Sequence, residues 1–585
     1  MKKENVFKFV FIGIIVFIIL ILELLLNIFH YGFNSDPFKS LDKEKKYYVD
    51  NSEYIKKYYS FGEIKDFNKN LFIMPKPQGI TRGFIIGGST AEGFPYYPNQ
   101  SFSKIAEKYL NIYIPNRKYE IINVGYAAMD SFYVKDVIKN LIQYDPDFII
   151  IYSGHNEYFG TLGYAAGQNS VLKNIYLALS EIKIFQFVYN IINAFKSQPS
   201  GGNILMEQVI NNKTFAPDNK IDEIVSKQFI DNINEAYIVL NDKNIPLIII
   251  DPICNLYYMP PFVGKNDSEM QDFIKKYRDA FYLGSKSKIE EYYKDAKNNI
   301  QYSSNANILY LNALAEKIIY TNDQITNFIE AKDYDCLPFR AKSVLKQELK
   351  KYCENKKGII YIPLEDEILK NHKNDILGNE IFIDHLHLNH TGQKIVGRIL
   401  ASYIAKMYEY PQDIVNNIIT NEKANIDEYI MFYPEYDIEA YTKIKILLNN
   451  PPYNKMLIPY IQTTPSYNDI DSSNIMLLNY ISQKYNSQNG QNADIHSLAI
   501  EYFISINDGM SIIRRMKSYI FNNPGKYTTY LNLARFLNSV NIANDDMINS
   551  YINAYLFSGN DISIYLEMKE VFEKQKLLLF LPKYQ

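Results

Sequence analysis

A long apolar run lies at the N-terminal end of the chain. Phe9 to Leu22 contains no charged residue, and after Glu23 the run resumes towards Phe29. This length is about what an α-helix needs to cross a bilayer. Lysines precede the run at positions 2, 3 and 8, which predicts a cytoplasmic N-terminus and a body on the outside. No small-residue cleavage site follows. We therefore predict an uncleaved, single-pass signal anchor over residues 1–30.

Short apolar runs alternate with helical patterns over residues 79–410. Such continuous runs, separated by helices, favour a parallel sheet covered on both faces, and therefore an α/β domain. Residues 161–219 and 265–350 lack a strong strand pattern and are interpreted as helical insertions. The polar, lysine-rich residues 31–78 before the domain are interpreted as a juxtamembrane stalk. The strand-like runs cover residues 82–86, 119–124, 147–152, 246–250 and 358–362.

The pattern changes after Pro411, where helix follows helix to the C-terminus. Residues 411–585 are therefore predicted to form an all-α domain. Within it, Asn523–Phe572 is typical of helix pairs whose small and large residues alternate as in tetratricopeptide repeats, where stacked helices bury each other's faces. An irregular helical bundle fits this segment almost as well.

Composition narrows the class of protein further. A chain of 585 residues is long enough for two or three domains, and its net charge of −3 gives no electrostatic footprint for nucleic acid. The three cysteines cannot form a disulfide framework. A single Cys336–Cys353 bridge stays open, although unrelated thiols, with Cys254 as the third, are favoured.

A serine, a histidine and an aspartate are the candidate catalytic residues. Ser89 follows the first strand of the domain in the sequence Gly-Gly-Ser-Thr, and a serine hydroxyl needs a base to become a nucleophile. Asp384 and His387 are three residues apart, so that the carboxylate can fix the tautomer of the imidazole within one turn. His155, after the third strand, is a weaker candidate for the base.

Two further residues are candidates for stabilising an oxyanion. Gly125 ends the second strand and can present a bare amide, and Asn156 follows the third strand with a side-chain amide. One such donor is typically worth about 3–4 kcal/mol of barrier. Taken singly, each position also fits a strand-ending turn or a polar loop. The amide of Ser89 itself faces the same developing charge.

Four sequence blocks therefore carry the candidate residues: those around Ser89, Gly125 and Asn156, each after a strand, and the Asp384–His387 pair near the end of the domain. In this order they resemble the SGNH (GDSL-type) hydrolase family, which is named for its Ser, Gly, Asn and His. The resemblance covers about residues 80–408. It implies a flavodoxin-like, three-layer α/β/α fold and a triad of Ser89, His387 and Asp384. It also implies an oxyanion hole made by the amides of Ser89 and Gly125 and the side chain of Asn156.

A narrower resemblance concerns a bacterial envelope branch of this family. GGSTAEGFP, YSGHNEYFG and Phe339–Ala341 are similar to that branch, which has a hydrophobic N-terminus and a tetratricopeptide-like tail. Two positions depart from the family pattern. Gly88 stands where an aspartate usually precedes the serine, and Glu157 stands where an aspartate commonly follows the asparagine. Both departures leave the substrate preference open.

The resemblance implies an extracytoplasmic esterase or deacylase, with O-acetyl groups among its candidate substrates. The substrate would be an acylated envelope glycan or lipid, and the C-terminal helices offer a surface for a protein partner. The same triad would serve an O-acyltransferase, and a catalytically inactive binding module with a helical scaffold tail is a third alternative. No cofactor is expected, because no GxGxxG motif follows the first strand.

A metal site is the other alternative. Asp384, His385, His387 and His390 form a ligand-rich cluster, but they lack the helical H-x-x-x-H spacing of zinc hydrolases. We therefore expect structural roles for His385 and His390. Arg340 could bind an anionic substrate, but a role as a salt-bridge partner is favoured.

Overall fold

A computed structural model describes residues 3–33, 35–59, 69–194, 213–320, 325–370, 376–420, 425–460, 472–487 and 494–582. The predicted N-terminal apolar helix is present as α1 (Lys3–Ile28). The segment Val10–Ile28 is long and apolar enough to cross a membrane, and none of it is buried inside the protein. Either a membrane anchor or a signal sequence would have these properties.

The stretch interpreted as a stalk is instead folded onto the α/β domain. It forms an antiparallel sheet of β1 (Phe38–Ser40), β2 (Tyr47–Asp50) and β3 (Leu71–Ile73), with the one-turn helix α2 (Ser52–Ile55) after β2. The rings of Phe38 and Phe72 are buried in the same core as the central sheet. The stalk interpretation is therefore wrong for the described part of residues 31–78, because apolar burial of its aromatic side chains outweighs its lysine-rich composition.

Within the described residues, five parallel strands form the central sheet, in the order β5-β4-β6-β7-β8. This is the flavodoxin-like order, in which the chain moves outward from β4 in both directions and leaves a crevice at the carboxyl ends of β4 and β6. The sequence therefore predicted the strands and the sheet type correctly. The strands are β4 (Ile80–Gly87), β5 (Lys118–Gly125), β6 (Phe148–Tyr152), β7 (Leu247–Ile250) and β8 (Ile359–Ile362).

Helices cover both faces of this sheet, which confirms the three-layer α/β/α arrangement. The helices of the domain are α3 (Ser89–Glu92), α4 (Phe102–Tyr113), α5 (Ser131–Leu141), α6 (Ser170–Leu179), α7 (Lys183–Ala194), α8 (Asn219–Asn241), α9 (Asp267–Tyr282), α10 (Lys286–Asn298), α11 (Ala306–Tyr320), α12 (Ile325–Asp333), α13 (Ser343–Glu354), α14 (Leu364–Leu369) and α15 (His390–Met407). Helices α5, α8 and α13 pack on one face, and α4, α14 and α15 pack on the other. Helices α9 to α12 form an insertion with its own apolar cluster. The first predicted insertion contains α6 and α7, and its residues 195–212 lie outside the described residues.

The C-terminal region is rich in helices, as predicted. Its helices are α16 (Gln412–Thr420), α17 (Ile426–Tyr429), α18 (Glu435–Leu448), α19 (Ser472–Ser487), α20 (Ile495–Ser505), α21 (Gly509–Asn522), α22 (Tyr527–Ser539), α23 (Asp545–Phe557) and α24 (Ile562–Lys574). Neighbouring helices such as α22 and α23 bury a shared apolar core. The relation to tetratricopeptide repeats stays a prediction. The region packs directly on the α/β domain, since Tyr96 and Tyr97 donate hydrogen bonds to Asp437 and Glu439 of α18.

Candidate active site

Ser89 lies at the carboxyl end of β4, at the crevice of the sheet. It is the first residue of the short helix α3, and the extended residue Gly88 precedes it as the N-cap. A Cβ atom on Gly88 would lie 2.4 Å from Nδ2 of Asn156. The absence of a side chain at position 88 therefore lets the Asn156 amide lie beside the nucleophile. A larger residue at position 88, such as an aspartate, would meet the Asn156 amide.

Asp384 and His387 lie on a tight loop before α15. The N–H of Ile383 donates to the carbonyl of His387 at 2.9 Å, and Asn389 caps the helix that follows. Oδ1 of Asp384 accepts the amides of Leu386 and His387 at 2.9 and 2.8 Å. The backbone of the loop therefore fixes the orientation of the Asp384 carboxylate without any help from the imidazole.

The three candidate catalytic side chains form one hydrogen-bonded chain. Nδ1 of His387 is 2.6 Å from Oδ2 of Asp384, and Nε2 of His387 is 2.7 Å from Oγ of Ser89. Asp384 is fully buried, while Ser89 keeps partial exposure. Phe94 packs edge-on against the imidazole, with 4.8 Å between ring centroids. The structure thus brings together the residues that the sequence predicted.

The charge of Asp384 determines where the proton of His387 lies. Burial alone would raise the pKa of Asp384, but the neighbouring His387 and His385 rings and their hydrogen bonds hold that pKa well below its usual range. An ionised carboxylate only accepts hydrogen bonds, so Nδ1 of His387 carries the proton. Nε2 then has a free lone pair, which accepts the hydroxyl proton of Ser89.

Two N–H groups beside the Ser89 hydroxyl are available as hydrogen-bond donors, one from the Asn156 side chain and one from the Ser89 backbone. One N–H of the Asn156 amide donates to the carbonyl of Met129 at 2.9 Å, which fixes the side chain and leaves its second N–H. The amide of Ser89 makes no hydrogen bond to any described residue. Both groups therefore have an N–H that could hold an oxyanion, and that role stays a prediction.

Gly125 does not present the free amide that the sequence predicted. Its N–H donates to Oδ1 of Asn123 at 2.9 Å. A Cβ atom at position 125 would lie 2.5 Å from the backbone nitrogen of Glu92 and 2.9 Å from the carbonyl carbon of Ala91. The absence of a side chain at Gly125 therefore allows helix α3, which begins with Ser89, to approach β5 closely. The amide of Gly125 is not available to a substrate, because the Asn123 side chain accepts its proton.

His155 is not placed as the base. Its Nδ1 accepts the amide of Ala341 at 3.1 Å, so its proton lies on Nε2, which has no acceptor among the described residues. Burial, with the nearby His385 and His387, holds the pKa of His155 well below the usual value. His155 lines a cavity next to Ser89 of about 10 Å³, the room that one water molecule needs. His155, which the sequence suggested only as a weaker candidate for the base, is thus a neutral donor beside Ser89.

Glu157 forms part of a buried carboxyl pair behind Asn156. It accepts the hydroxyl and the amide of Ser131 at 2.6 and 3.1 Å, and Asp130 caps the same helix, α5. Burial and the nearby Asp130 raise the pKa of Glu157 to about 8. Glu157 therefore supports the Asn156 loop and does not face Ser89.

The C-terminal region contacts the catalytic loop from the other side. The hydroxyl of Tyr453 is 2.6 Å from Nδ1 of His385. The hydroxyl of Tyr460 donates to the carbonyl of Ile383 at 3.1 Å. These contacts join the tail to both neighbours of Asp384, and no local sequence pattern indicated them.

Three of the four residues considered as an alternative metal site lie close together, and the fourth does not. Asp384, His385 and His387 lie close enough to share an ion. Their facing atoms are already paired with Ser89, with Tyr453 or with one another. His390 lies elsewhere, stacked on Phe432 and 2.9 Å from Asp427. The structural roles expected for His385 and His390 agree with these contacts.

Arg340 and the cysteines also take structural positions. The Arg340 guanidinium is buried, donates to the carbonyls of Asn255 and Met259, and lies 3.8 Å from Asp335. The role as a salt-bridge partner is therefore confirmed. The three cysteines are all free thiols, so the Cys336–Cys353 bridge is not formed.

Comparisons with known proteins add little to this geometry. No protein-family model and no curated protein matches the chain. Among solved structures, the chain is similar to LAE5, an alpha/beta hydrolase enzyme from the metagenome of Lake Arreo, Spain. The likeness covers 58% of this chain and 97% of that chain, with 9% sequence identity and a TM-score of 0.24. The functional interpretation therefore rests on the arrangement of Ser89, His387 and Asp384.

Proposed function

We propose that the protein is a serine hydrolase of the SGNH type that cleaves ester bonds. The observation that carries this proposal is the hydrogen-bonded chain from Ser89 through His387 to Asp384, whose serine and histidine are 298 residues apart in sequence. Side chains that meet at such a separation, with an ionised carboxylate behind the imidazole, form the arrangement that activates a serine hydroxyl.

The reaction follows from these contacts. Nε2 of His387 takes the hydroxyl proton of Ser89 as Oγ attacks the ester carbonyl carbon. The tetrahedral intermediate collapses when the C–O bond to the alcohol breaks, and His387 returns its proton to the leaving alkoxide. Water then enters, loses a proton to His387 and attacks the acyl-enzyme, which releases a carboxylic acid and restores Ser89. Asp384 stays ionised and stabilises the imidazolium in both steps.

The negative oxygen of each intermediate would be held by the Ser89 amide and the free N–H of Asn156. Each preorganised donor of this kind is typically worth about 3–4 kcal/mol of barrier. Gly125 could add a third donor only if Asn123 released its amide.

The small cavity beside Ser89 supports a short acyl group as substrate. Its volume of about 10 Å³ is the room of one water molecule, so the described residues leave no space for a long acyl chain at this point. We therefore propose acetyl esters as the substrate class. Helix α1, acting as an uncleaved anchor, would place the body outside the cytoplasm, where acetylated envelope glycans or lipids occur as substrates for such an enzyme.

The test is covalent labelling of the full chain, in detergent or nanodiscs, with a fluorophosphonate probe. We expect labelling of the wild type, none for Ser89→Ala, and unchanged labelling for Ser402→Ala, which removes a buried hydroxyl bonded only to its own helix. Labelling of Ser89→Ala at the wild-type level would refute the role of Ser89 as the nucleophile. Absence of labelling in the wild type would favour the inactive binding module.

A second assay separates hydrolysis from transfer. The acyl-enzyme formed from 4-nitrophenyl acetate should be released to water at the same rate with or without an added glycan acceptor. Release that depends on the acceptor, with the acetyl group recovered on a glycan hydroxyl, would identify an O-acyltransferase that uses the same triad.

A further inference from the structure

Helices α6 and α7 form an elbow whose outer face is apolar and exposed. The two helices meet at an angle of 108°. Charged side chains along the elbow are restricted to Lys173, Glu181 and Lys183. Its exposed apolar residues are Val171, Leu172, Ile175, Leu179, Ile182, Val188, Ile191 and Ile192.

The inner face of α6, the first helix of the elbow, packs on the α/β domain. Lys173 and Leu177 are buried, and the hydroxyl of Tyr176 donates to the carbonyl of Lys57 at 2.8 Å. On α6 the exposed residues Val171, Ile175 and Leu179 recur at intervals of four, so they share one side of the helix. The elbow is therefore amphipathic, and its apolar side is directed away from the protein.

The start of α7 is joined to the N-terminal apolar helix. Both oxygens of the Glu23 carboxylate accept backbone amides from this start, those of Lys183 at 3.0 Å and Ile184 at 2.8 Å. A carboxylate is favourable at this end of a helix because it satisfies unpaired N–H groups and complements the helix dipole. Oε1 of Gln186 accepts the amide of Phe33 at 3.1 Å, just beyond the end of α1.

This joint fixes the depth of the elbow relative to a membrane. Glu23 precedes Ile28, the end of the apolar span, by five residues, which corresponds to about 7.5 Å along the helix. If α1 crosses a bilayer, the first residues of α7 lie level with the boundary between headgroups and acyl chains. Unpaired amides at that depth need a partner, and Glu23 provides it.

We propose that the α6–α7 elbow lies in the outer interface of the membrane as a second lipid contact. The inference rests on the proposed role of α1 as an anchor. The occupant of the apolar face is the bilayer that contains α1, because the face continues from the end of that span. The contact holds the α/β domain against the membrane surface and limits its rotation about the single anchor, so that Ser89 meets membrane-bound substrates in a restricted range of orientations.

The chain contains no tryptophan, which allows a direct test by single tryptophan probes. Leu172→Trp and Ile191→Trp place a probe on each arm of the elbow, and Leu20→Trp places one near the middle of the span. Ile300→Trp, at an exposed position in the helical insertion, is the control. The full-length variants are reconstituted in phosphatidylcholine vesicles whose acyl chains are brominated either near the headgroup or near the bilayer centre.

We expect bromine near the headgroup to lower the fluorescence of both elbow probes at least about twofold, as for a helix buried to this depth. Bromine near the centre should quench the Leu20→Trp probe most, and the Ile300→Trp probe should be unaffected. In the Ile191→Trp background, Glu23→Ala should reduce the quenching of the elbow probe, because α7 loses its attachment to α1.

The controls separate the two proposals. Quenching of the Leu20→Trp probe without quenching at positions 172 and 191 overturns the lipid contact and leaves the anchor in place. Absence of quenching at all three positions overturns both. Elbow probes that are shielded from lipid bromine and also from aqueous iodide indicate a protein partner, such as a second copy of the chain, and overturn the lipid contact.

Discussion

Asp384→Asn tests most directly whether the hydrogen bonds from Ser89 through His387 to Asp384 activate the serine. Oδ1 of Asp384 already accepts two backbone amides, of Leu386 and His387. The oxygen of an asparagine is therefore expected to keep that place, which turns its NH₂ group towards Nδ1 of His387. Nδ1 must then accept a hydrogen bond, and the imidazole proton moves to Nε2, where it faces Ser89.

In that tautomer His387 cannot take the proton of Ser89. The same change in a serine protease lowers kcat about 10⁴-fold, which corresponds to about 5.4 kcal/mol of barrier at 1.36 kcal/mol for each factor of ten. We expect a loss of this size here, measured as initial rates of 4-nitrophenyl acetate hydrolysis with the protein in nanodiscs. Near-native circular dichroism would show that the loop is intact.

Asp427→Asn is the matched control. Asp427 also pairs with a histidine, since its Oδ1 lies 2.9 Å from Nε2 of His390, but this pair has no contact with Ser89. We expect its activity to stay within about threefold of the wild type, because the partly exposed pair contributes little. A folded Asp384→Asn variant that keeps more than about a tenth of the wild-type rate would refute the role given to the carboxylate.

Three further substitutions examine the support of the site. The neutral carboxyl of Glu157 stabilises the fold fully below its unfolded pKa of about 4.5, and this stability is lost as the pH rises through about 8. Glu157→Gln should therefore flatten the fall of Tm between about pH 5 and pH 9. An unchanged slope of Tm against pH would contradict the raised pKa of Glu157. Tyr453→Phe leaves the buried His385 without its hydroxyl partner and should cost about 1–3 kcal/mol in urea unfolding, whereas an unchanged midpoint would show that the contact contributes nothing. Gly125→Ala should displace the nucleophile helix and lower kcat/KM about 100-fold, while Gly509→Ala, which has open space around it, should not, and equal activities would refute the steric argument.

The sequence predicted which candidate residues meet at the sheet edge because the local pattern and the sheet geometry agree, and their catalytic role stays a prediction. Each apolar strand ends in small or polar residues, and the carboxyl ends of parallel strands meet at one edge of the sheet. Ser89 and Asn156 follow adjacent strands, so their proximity could be expected. His387 comes from a distant loop, and its position depended on the Asp-x-x-His spacing together with the resemblance to a family.

Other features depend on contacts that local patterns do not specify. Oδ1 of Asn123 reaches the amide of Gly125, two residues later, while its NH₂ group donates to the carbonyl of Ala91 and to Oγ of Ser103. The aromatic rings of Phe38 and Phe72 are buried against the domain although charged residues surround them in sequence. The short apolar run from Leu71 to Met74, which contains Phe72, was the available signal, and the lysine content of the segment obscured it.

The boundary predicted near residue 410 separates two kinds of secondary structure, but it does not separate two independent units. Ile383, one residue before Asp384, is buried in a cluster with Ala440 and Ile444 of α18, and Tyr453 supplies the hydroxyl that faces His385. Removing the tail would expose this apolar surface and leave polar groups of the catalytic loop without partners, which costs about 1–3 kcal/mol for each buried group. Loss of activity on truncation would therefore follow from the loop alone, without any lost protein partner. Substitutions on the exposed faces of α20 to α24, which do not touch this loop, are the changes that can reveal a partner of the tail.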